Sequence, residues 1–345
     1  MTVRSTLITL LALSLPLSAH AAEPEAVTRF GRSEAPYVLL ARSTTDIALV
    51  APAIESFVTR FPDHAVAYEQ WGSNDLYEFE RAACAVGSGA ADLVISSAID
   101  LQVKLVNDGC SQPHHSAAVA ALPAERRWRD EVFGVTSEPA VIVYNRALVP
   151  SYDIPASRFD LLDLLRRPDT AYAGRVATYD IAASGLGYLF AFADSQQATT
   201  FGSLIEAFGR TGAIATCCSA EIIEGVETGR YLIAYNVLGS YALDRADDDD
   251  RLAVVLPRDY TLVLSRAALI PKHAEHPGAA GALIDFLLST AGRAELARTH
   301  LIVDVPPDDT AQLRPIPLSP VLLVGLDQQK RALLMSRWRD TFPEE

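Results

Sequence analysis

Along most of this chain, short apolar runs of strand character alternate with longer stretches whose apolar residues recur at helical spacing. Tyr37-Val38-Leu39-Leu40 is the first such run, and the polar loop Arg42-Ser43-Thr44-Thr45-Asp46 follows it. Ile47, Val50, Ile54, Phe57, Val58 and Phe61 then fall on one helical face, and Pro62-Asp63 ends the helix. Ala65 to Trp71 is predicted as the next strand. The turn Gly72-Ser73-Asn74-Asp75 leads into a helix through Leu76, Phe79, Ala83 and Val86, which Gly87-Ser88-Gly89 breaks. Asp92-Leu93-Val94-Ile95 is a third strand and ends in Ser96-Ser97. Strand, polar loop and helix, repeated in this way, predict an α/β fold with a parallel sheet covered on both faces.

A long polar excursion separates this series from a second one, which opens on the apolar strand Ala140 to Asn145. Phe159 to Arg167 reads as a helix and Arg175 to Tyr179 as a strand, and the segment Asp180 to Gly187 opens a helix through Phe192. Ala213 to Thr216 is a strand, and Ser219 to Thr228 a helix with Ser219 as its cap. Leu232 to Asn236 is a strand leading into a helix near Gly239-Ser240-Tyr241, and Leu252 to Leu256 is the last strand of the set. Beyond Pro257, the β-segment Tyr260 to Leu264 precedes a helical region with Pro277 in its first turn and Leu283, Ile284, Leu287 and Leu288 as its buried stripe. Asp247 to Asp250 reads as a solvated surface loop.

In α/β sheets of this kind ligands sit beyond the carboxyl ends of the strands. The residues expected there are Thr44 and Thr45, Ser73 and Asn74, and Ser96 and Ser97, all small and able to hydrogen-bond. Helix capping is the competing explanation for any one loop. Their recurrence after consecutive strands points to binding. In the second series, Asp180, Ser184 and Gly185 lie where a helix begins, so backbone N–H donors backed by the helix dipole are expected to favour an anion. Asn236, at a strand end, and Tyr241, in the following helix, are placed to reach the same cleft; for Tyr241 a role as a core aromatic is the alternative.

The N-terminus adds a compartment. Arg4, the apolar run Leu7 to Leu17 and the small-x-small site Ala19-His20-Ala21 read as a signal peptide over residues 1–21, with a mature chain exported to the periplasm. Its length suffices for two domains, each with its own core. A net charge of −14 argues against nucleic acid and anionic membranes as partners, though not against a local anion site. No direct membrane insertion, no cofactor and no metal are expected, and the chain is expected to be monomeric. Export permits disulfides. Cys84 and Cys110, close in sequence and expected in one lobe, are the candidate pair. Adjacent Cys217 and Cys218 could form a vicinal disulfide, a reduced pair or, least of all, part of a metal site.

Four stretches carry a family resemblance: Asp92 to Ser97, Pro139 to Asn145, Ala183-Ser184-Gly185, and Pro271-Lys272-His273-Ala274 through Asp285 to Leu288. In order and spacing the chain resembles the class II periplasmic solute-binding proteins of ABC transporters, in the branch with ferric-iron, thiamine and sugar-phosphate binders. The resemblance implies two doubly wound lobes joined by two crossover segments, with a ligand cleft between them and hinge closure around ligand. Lobe one is placed at 35–137 plus 260–345 and lobe two at 140–257, with hinges near 137–140 and 257–260.

The function expected is capture of a small polar ligand, bearing a carboxylate or phosphate, for an inner-membrane ABC permease. Presentation of that ligand to the periplasmic domain of a sensor kinase is the alternative. Ferric binders of the family carry adjacent tyrosines near Tyr235 and Asn236; here Tyr241 stands apart from Tyr235, which counts against iron. A thiamine site needs an aromatic sandwich, for which Trp71 and Tyr241 are the candidates. A secreted hydrolase ranks last, because Ala182-Ala183-Ser184-Gly185-Leu186 lacks both outer glycines of a nucleophile elbow.

Overall fold

A computed structural model describes residues 23–197, 200–304 and 311–342. The expected signal peptide therefore lies outside the described residues. The strands are β1 (Ala26–Phe30), β2 (Tyr37–Ser43), β3 (His64–Gln70), β4 (Leu93–Ser96), β5 (Ser111–Gln112), β6 (Arg127–Trp128), β7 (Val132–Gly134) and β8 (Glu138–Asn145). They continue with β9 (Val176–Tyr179), β10 (Ile214–Thr216), β11 (Ile233–Leu238), β12 (Leu252–Val255), β13 (Thr261–Leu264), β14 (Ala267–Pro271) and β15 (Leu313–Pro315). The helices are α1 (Ile47–Arg60), α2 (Ser73–Val86), α3 (Ile99–Asn107), α4 (Ala117–Ala120), α5 (Arg158–Arg166) and α6 (Gly185–Gln197). After them come α7 (Thr200–Thr211), α8 (Ser219–Glu227), α9 (Gly239–Asp248), α10 (Pro277–Leu288), α11 (Thr290–Arg298) and α12 (Gln328–Thr341).

The strands form two sheets, one in each of two α/β lobes. The first runs β1-β3-β2-β4-β14-β7-β6 and the second β10-β9-β11-β8-β13-β15. Each has the expected parallel heart, β3-β2-β4 in one and β10-β9-β11 in the other. The sheets as a whole are mixed, because β1, β14 and β8 run antiparallel to their neighbours. Asp247 and Asp248 close α9 rather than lying in a loop.

Glu138 and Leu264 pair in the second sheet, whereas Gly134 and Ala267 pair in the first. The chain thus changes lobes between Gly134 and Glu138 and returns between Leu264 and Ala267. The second crossing comes later than the expected 257–260, since β13 is a strand of lobe two. The crossings are bound side by side: Val135 donates its N–H to the Arg266 carbonyl at 2.9 Å, and the Arg266 N–H goes to Thr136 Oγ1 at 2.8 Å.

A second boundary also differs. The whole of 260–345 was expected in lobe one, yet Leu334 and Trp338 of α12 pack into the lobe-two core with Phe208 and Tyr235. Burying side chains of this size contributes on the order of 1.5–3 kcal/mol each, enough to fix a C-terminal helix to the nearest apolar surface. Beneath them lies a polar knot, in which Asp194 receives Arg158 Nη2 at 3.1 Å, Tyr260 Oη at 2.9 Å and Asn236 Nδ2 at 3.0 Å.

Candidate functional site

Between the lobes lies a cavity of about 210 Å³. That is below the roughly 300–1,000 Å³ of sites for drug-sized molecules and suits a small metabolite. Its walls come from the carboxyl ends of the parallel strands of both lobes, as sheet topology predicts. Lobe one supplies Thr44 and Asp46 after β2, Gln70 to Ser73 around the end of β3, and Ser97 after β4. Lobe two supplies Tyr179 at the end of β9, Cys217 to Ala220 after β10, Leu238 at the end of β11, and Ser184, Leu186 and Tyr241 from the helical side. Arg266, at the return crossing, and Glu25 complete the lining.

Several helices that start at the cavity lack a side-chain cap, as α10 does elsewhere, whereas α6 starts there with Ser184 Oγ accepting from the Gly187 N–H. Away from the cavity, α4, α5, α11 and α12 carry side-chain caps from Ser116, Ser157, Ser289 and Asp327. At the cavity, α1, α2, α8 and α9 begin after Asp46, Gly72, Cys218 and Leu238, and none of these side chains caps its helix. The N-termini of α2 and α8, from opposite lobes, thus bring uncapped backbone donors and positive dipole ends to one space. Ser219 was expected to cap α8. Instead it is the first residue of that helix, and its Oγ lies 2.6 Å from Tyr179 Oη.

The lobes touch through hydrogen bonds at the cavity rim. Asn74 donates Nδ2 to the carbonyls of Ala182 and Ala183, both at 3.0 Å, and the Gly185 N–H donates to Ser73 Oγ at 2.9 Å. Tyr241 Oη donates to Asp46 Oδ1 at 2.8 Å. The Gly185 N–H, expected to hold an anion, is therefore spent on interlobe contact. Ser184 Oγ accepts from the Gly187 N–H at 3.0 Å.

The other expected site residues divide. Thr44, Ser73, Ser97, Ser184 and Tyr241 line the cavity. Thr44 Oγ1 and Ser97 Oγ are 3.1 Å apart, and the Ser97 N–H donates to Thr44 Oγ1. Thr45, Ser96 and Asp180 are not in this lining: the Thr45 carbonyl accepts from Tyr68 Oη, while Ser96 Oγ and Asp180 Oδ1 accept from the local Ala98 and Ala182 N–H groups. Asn74 and Gly185 make the rim. Asn236 departs from expectation altogether. A bulge in β11 between Ala234 and Val237 and a φ of +60° turn its side chain into lobe two, 5% exposed, against Asp194.

Asp46, Glu25, Gln70, Tyr179 and Arg266 were not singled out from the sequence. Gln70 Nε2 bridges the two carboxylates, 3.2 Å from Glu25 Oε2 and 3.4 Å from Asp46 Oδ1. Arg266 is 1% exposed and meets the fully buried Glu138 of the first crossing through Nε–Oε1 at 2.9 Å and Nη2–Oε2 at 3.2 Å. Burial would lower its pKa, but Glu138 and the surrounding phenols raise it, so it stays charged. Its Nη1 also donates to the Thr44 carbonyl at 3.1 Å. A single arginine within an apolar stretch was the available signal. Burial pushes the Tyr179 hydroxyl up to about 12, and burial with the Asp46 carboxylate pushes Tyr241 well above the usual phenol range. Both phenols stay protonated.

The bacterial extracellular solute-binding protein family matches residues 88–328. The chain belongs to that family. As a solute-binding protein it is a periplasmic component of an ABC importer, of class II, and it is not an enzyme. The substrate-binding protein of an ABC transporter from Agrobacterium tumefaciens is 37% identical, with a TM-score of 0.86 over 93% of this chain and 99% of that one. Iron-bound HitA from Pseudomonas aeruginosa is 17% identical, with a TM-score of 0.69, covering 89% and 99%. AfuA from Actinobacillus pleuropneumoniae, with exogenous fructose-6-phosphate bound, is 16% identical, with a TM-score of 0.71, covering 90% and 99%. No curated protein matches the chain. Both disulfides of this solute-binding protein are formed, Cys84–Cys110 and Cys217–Cys218.

Proposed function

We propose that this solute-binding protein captures a small organic anion, phosphorylated or carboxylated, that also carries hydroxyl groups, and delivers it to its permease. The observation that carries this reading is the pair of uncapped helix N-termini, α2 and α8, meeting at one cavity from opposite lobes. Backbone donors with aligned dipoles suit a phosphate or carboxylate. Asp46 and Glu25 on the same wall can only accept while ionised, so they call for donors on the rest of the ligand. A polyol phosphate meets both demands.

Ferric iron is disfavoured by the same geometry. The cavity phenols Tyr179 and Tyr241 are protonated and already committed to Ser219 and Asp46. Fructose-6-phosphate, the molecule bound by the Actinobacillus relative, is a fitting first probe. Calorimetry against it, inorganic phosphate and fructose tests the reading. The sugar phosphate is expected to bind tighter than either fragment. Equal binding of fructose, or selective uptake of ferric ion, would refute it.

A further inference from the structure

The two disulfides differ in what they can do for the fold. Cys84 and Cys110 are 26 residues apart and join α2 to the segment after α3, so their bond restricts the unfolded chain. Cys217 and Cys218 are neighbours in sequence, and their bond closes no loop. It restricts almost nothing in the unfolded state, and its effect must be local. Locally, it lies in the wall of the ligand cavity. Cys218 is the residue from which α8 starts, and the ring fixes the peptide that aims the first N–H groups of that helix. Cys218 is exposed and Cys217 half-buried, so an attacking thiolate can reach the bond.

We propose that Cys217–Cys218 is a dithiol-exchange site that sets ligand affinity in the cavity. This rests on the reading of the cavity as the ligand site. A thiolate of an external dithiol attacks Cys218 Sγ, forming a mixed disulfide and expelling Cys217 as a thiolate, which takes up a proton. The second thiol of the reagent then displaces Cys218 and leaves as the oxidised, cyclic disulfide. Two electrons and two protons pass from the dithiol to the cysteine pair. Reduction releases the peptide at the start of α8 and replaces the rigid wall by two free side chains. Ligand is then held less tightly, and reoxidation restores the site.

The test uses the full mature protein purified oxidised. Limiting dithiothreitol followed by maleimide and peptide mass spectrometry is expected to label Cys217 and Cys218 while Cys84–Cys110 stays bonded. Calorimetry with fructose-6-phosphate is expected to give about tenfold weaker binding, near 1.4 kcal/mol, for the selectively reduced protein and for the C217S/C218S variant. Reduction of Cys84–Cys110 first, or affinities within twofold in all forms, would overturn the proposal. A probe that binds neither form sinks the sugar-phosphate reading instead, and a ligand-free arm then decides. Gly185→Ala, which crowds the cleft rim, is expected to speed labelling of Cys217 and Cys218 several-fold; unchanged rates would remove the disulfide from the moving cleft.

Discussion

Gly185 sits in direct contact with the opposite lobe, and its replacement by alanine separates closure from folding. A Cβ at this position would stand 3.0 Å from Asn74 Oδ1 and 3.1 Å from both Ser73 Oγ and Ala98 Cβ. All three belong to lobe one, and the Ala98 carbon cannot move without its backbone. Relief comes either from turning Ser73 and Asn74 away or from parting the lobes. Both routes give up interlobe bonds, namely Gly185 N–H to Ser73 and Asn74 to the carbonyls of Ala182 and Ala183. At about 0.5–1.5 kcal/mol net for each bond, and at the lower end for this solvent-facing rim, the closed form loses about 1–2 kcal/mol. The closed-to-open ratio falls roughly 5- to 30-fold, and apparent ligand affinity falls with it. Within its own lobe the substitution is benign, because Gly185 opens α6 without the positive φ that would require glycine. The expected result is a larger radius of gyration by X-ray scattering and weaker fructose-6-phosphate binding, with thermal stability kept. Unchanged scattering together with undiminished affinity would refute the reasoning, and so would a collapse of stability.

Tyr241→Phe removes the hydroxyl that joins α9 to Asp46 and is expected to weaken probe affinity roughly tenfold, about 1–2 kcal/mol for a charge-assisted bond, with an unchanged circular dichroism spectrum. Arg266→Met leaves Glu138 buried without its cation. A loss of about 3–5 kcal/mol is expected in urea unfolding, and a loss below 1 kcal/mol would deny the crossings their ion-pair anchor. Asp100 is buried, and burial raises its pKa to about 7 from 3.8. Between those values the folded state holds a proton that the unfolded state has released, so stability falls as pH rises through this window, by up to about 4 kcal/mol. Asp100→Asn is expected to flatten that slope in urea titrations from pH 5 to 8; a variant with the wild-type slope would place the effect elsewhere.

Much of the fold was legible because the parallel strands are apolar runs bounded by Gly, Pro and small polar residues, and the helices after them keep an apolar stripe. What escaped were elements whose pattern is set by partners far along the chain. β7 is three residues long and β14 follows β13 after only Ser265 and Arg266, so periodicity could not separate one crossing strand into two. α12 has apolar residues too sparse to declare which lobe they cover, and that choice lies with Phe208 and Tyr235, far earlier in the chain. The hydroxyl-bearing loops do lie at strand ends that border the interlobe cavity. They could not reveal that the Gly185 N–H is spent on Ser73 and the Asn74 amide on the Ala182 and Ala183 carbonyls. Asn236 failed for a local reason, since a bulge reverses the facing that simple alternation assigns.

The ends of the described chain lie on different lobes. β1, next to the N-terminal end, pairs with β3 in the first sheet, whereas α12 rides on the second lobe. A donor fluorophore at the exposed Ser33, just after β1, and an acceptor at the end of α12 would each be carried by one lobe. The distance between them is then a direct optical gauge of domain motion, available without cutting into either sheet and usable to screen metabolites before the natural cargo is known.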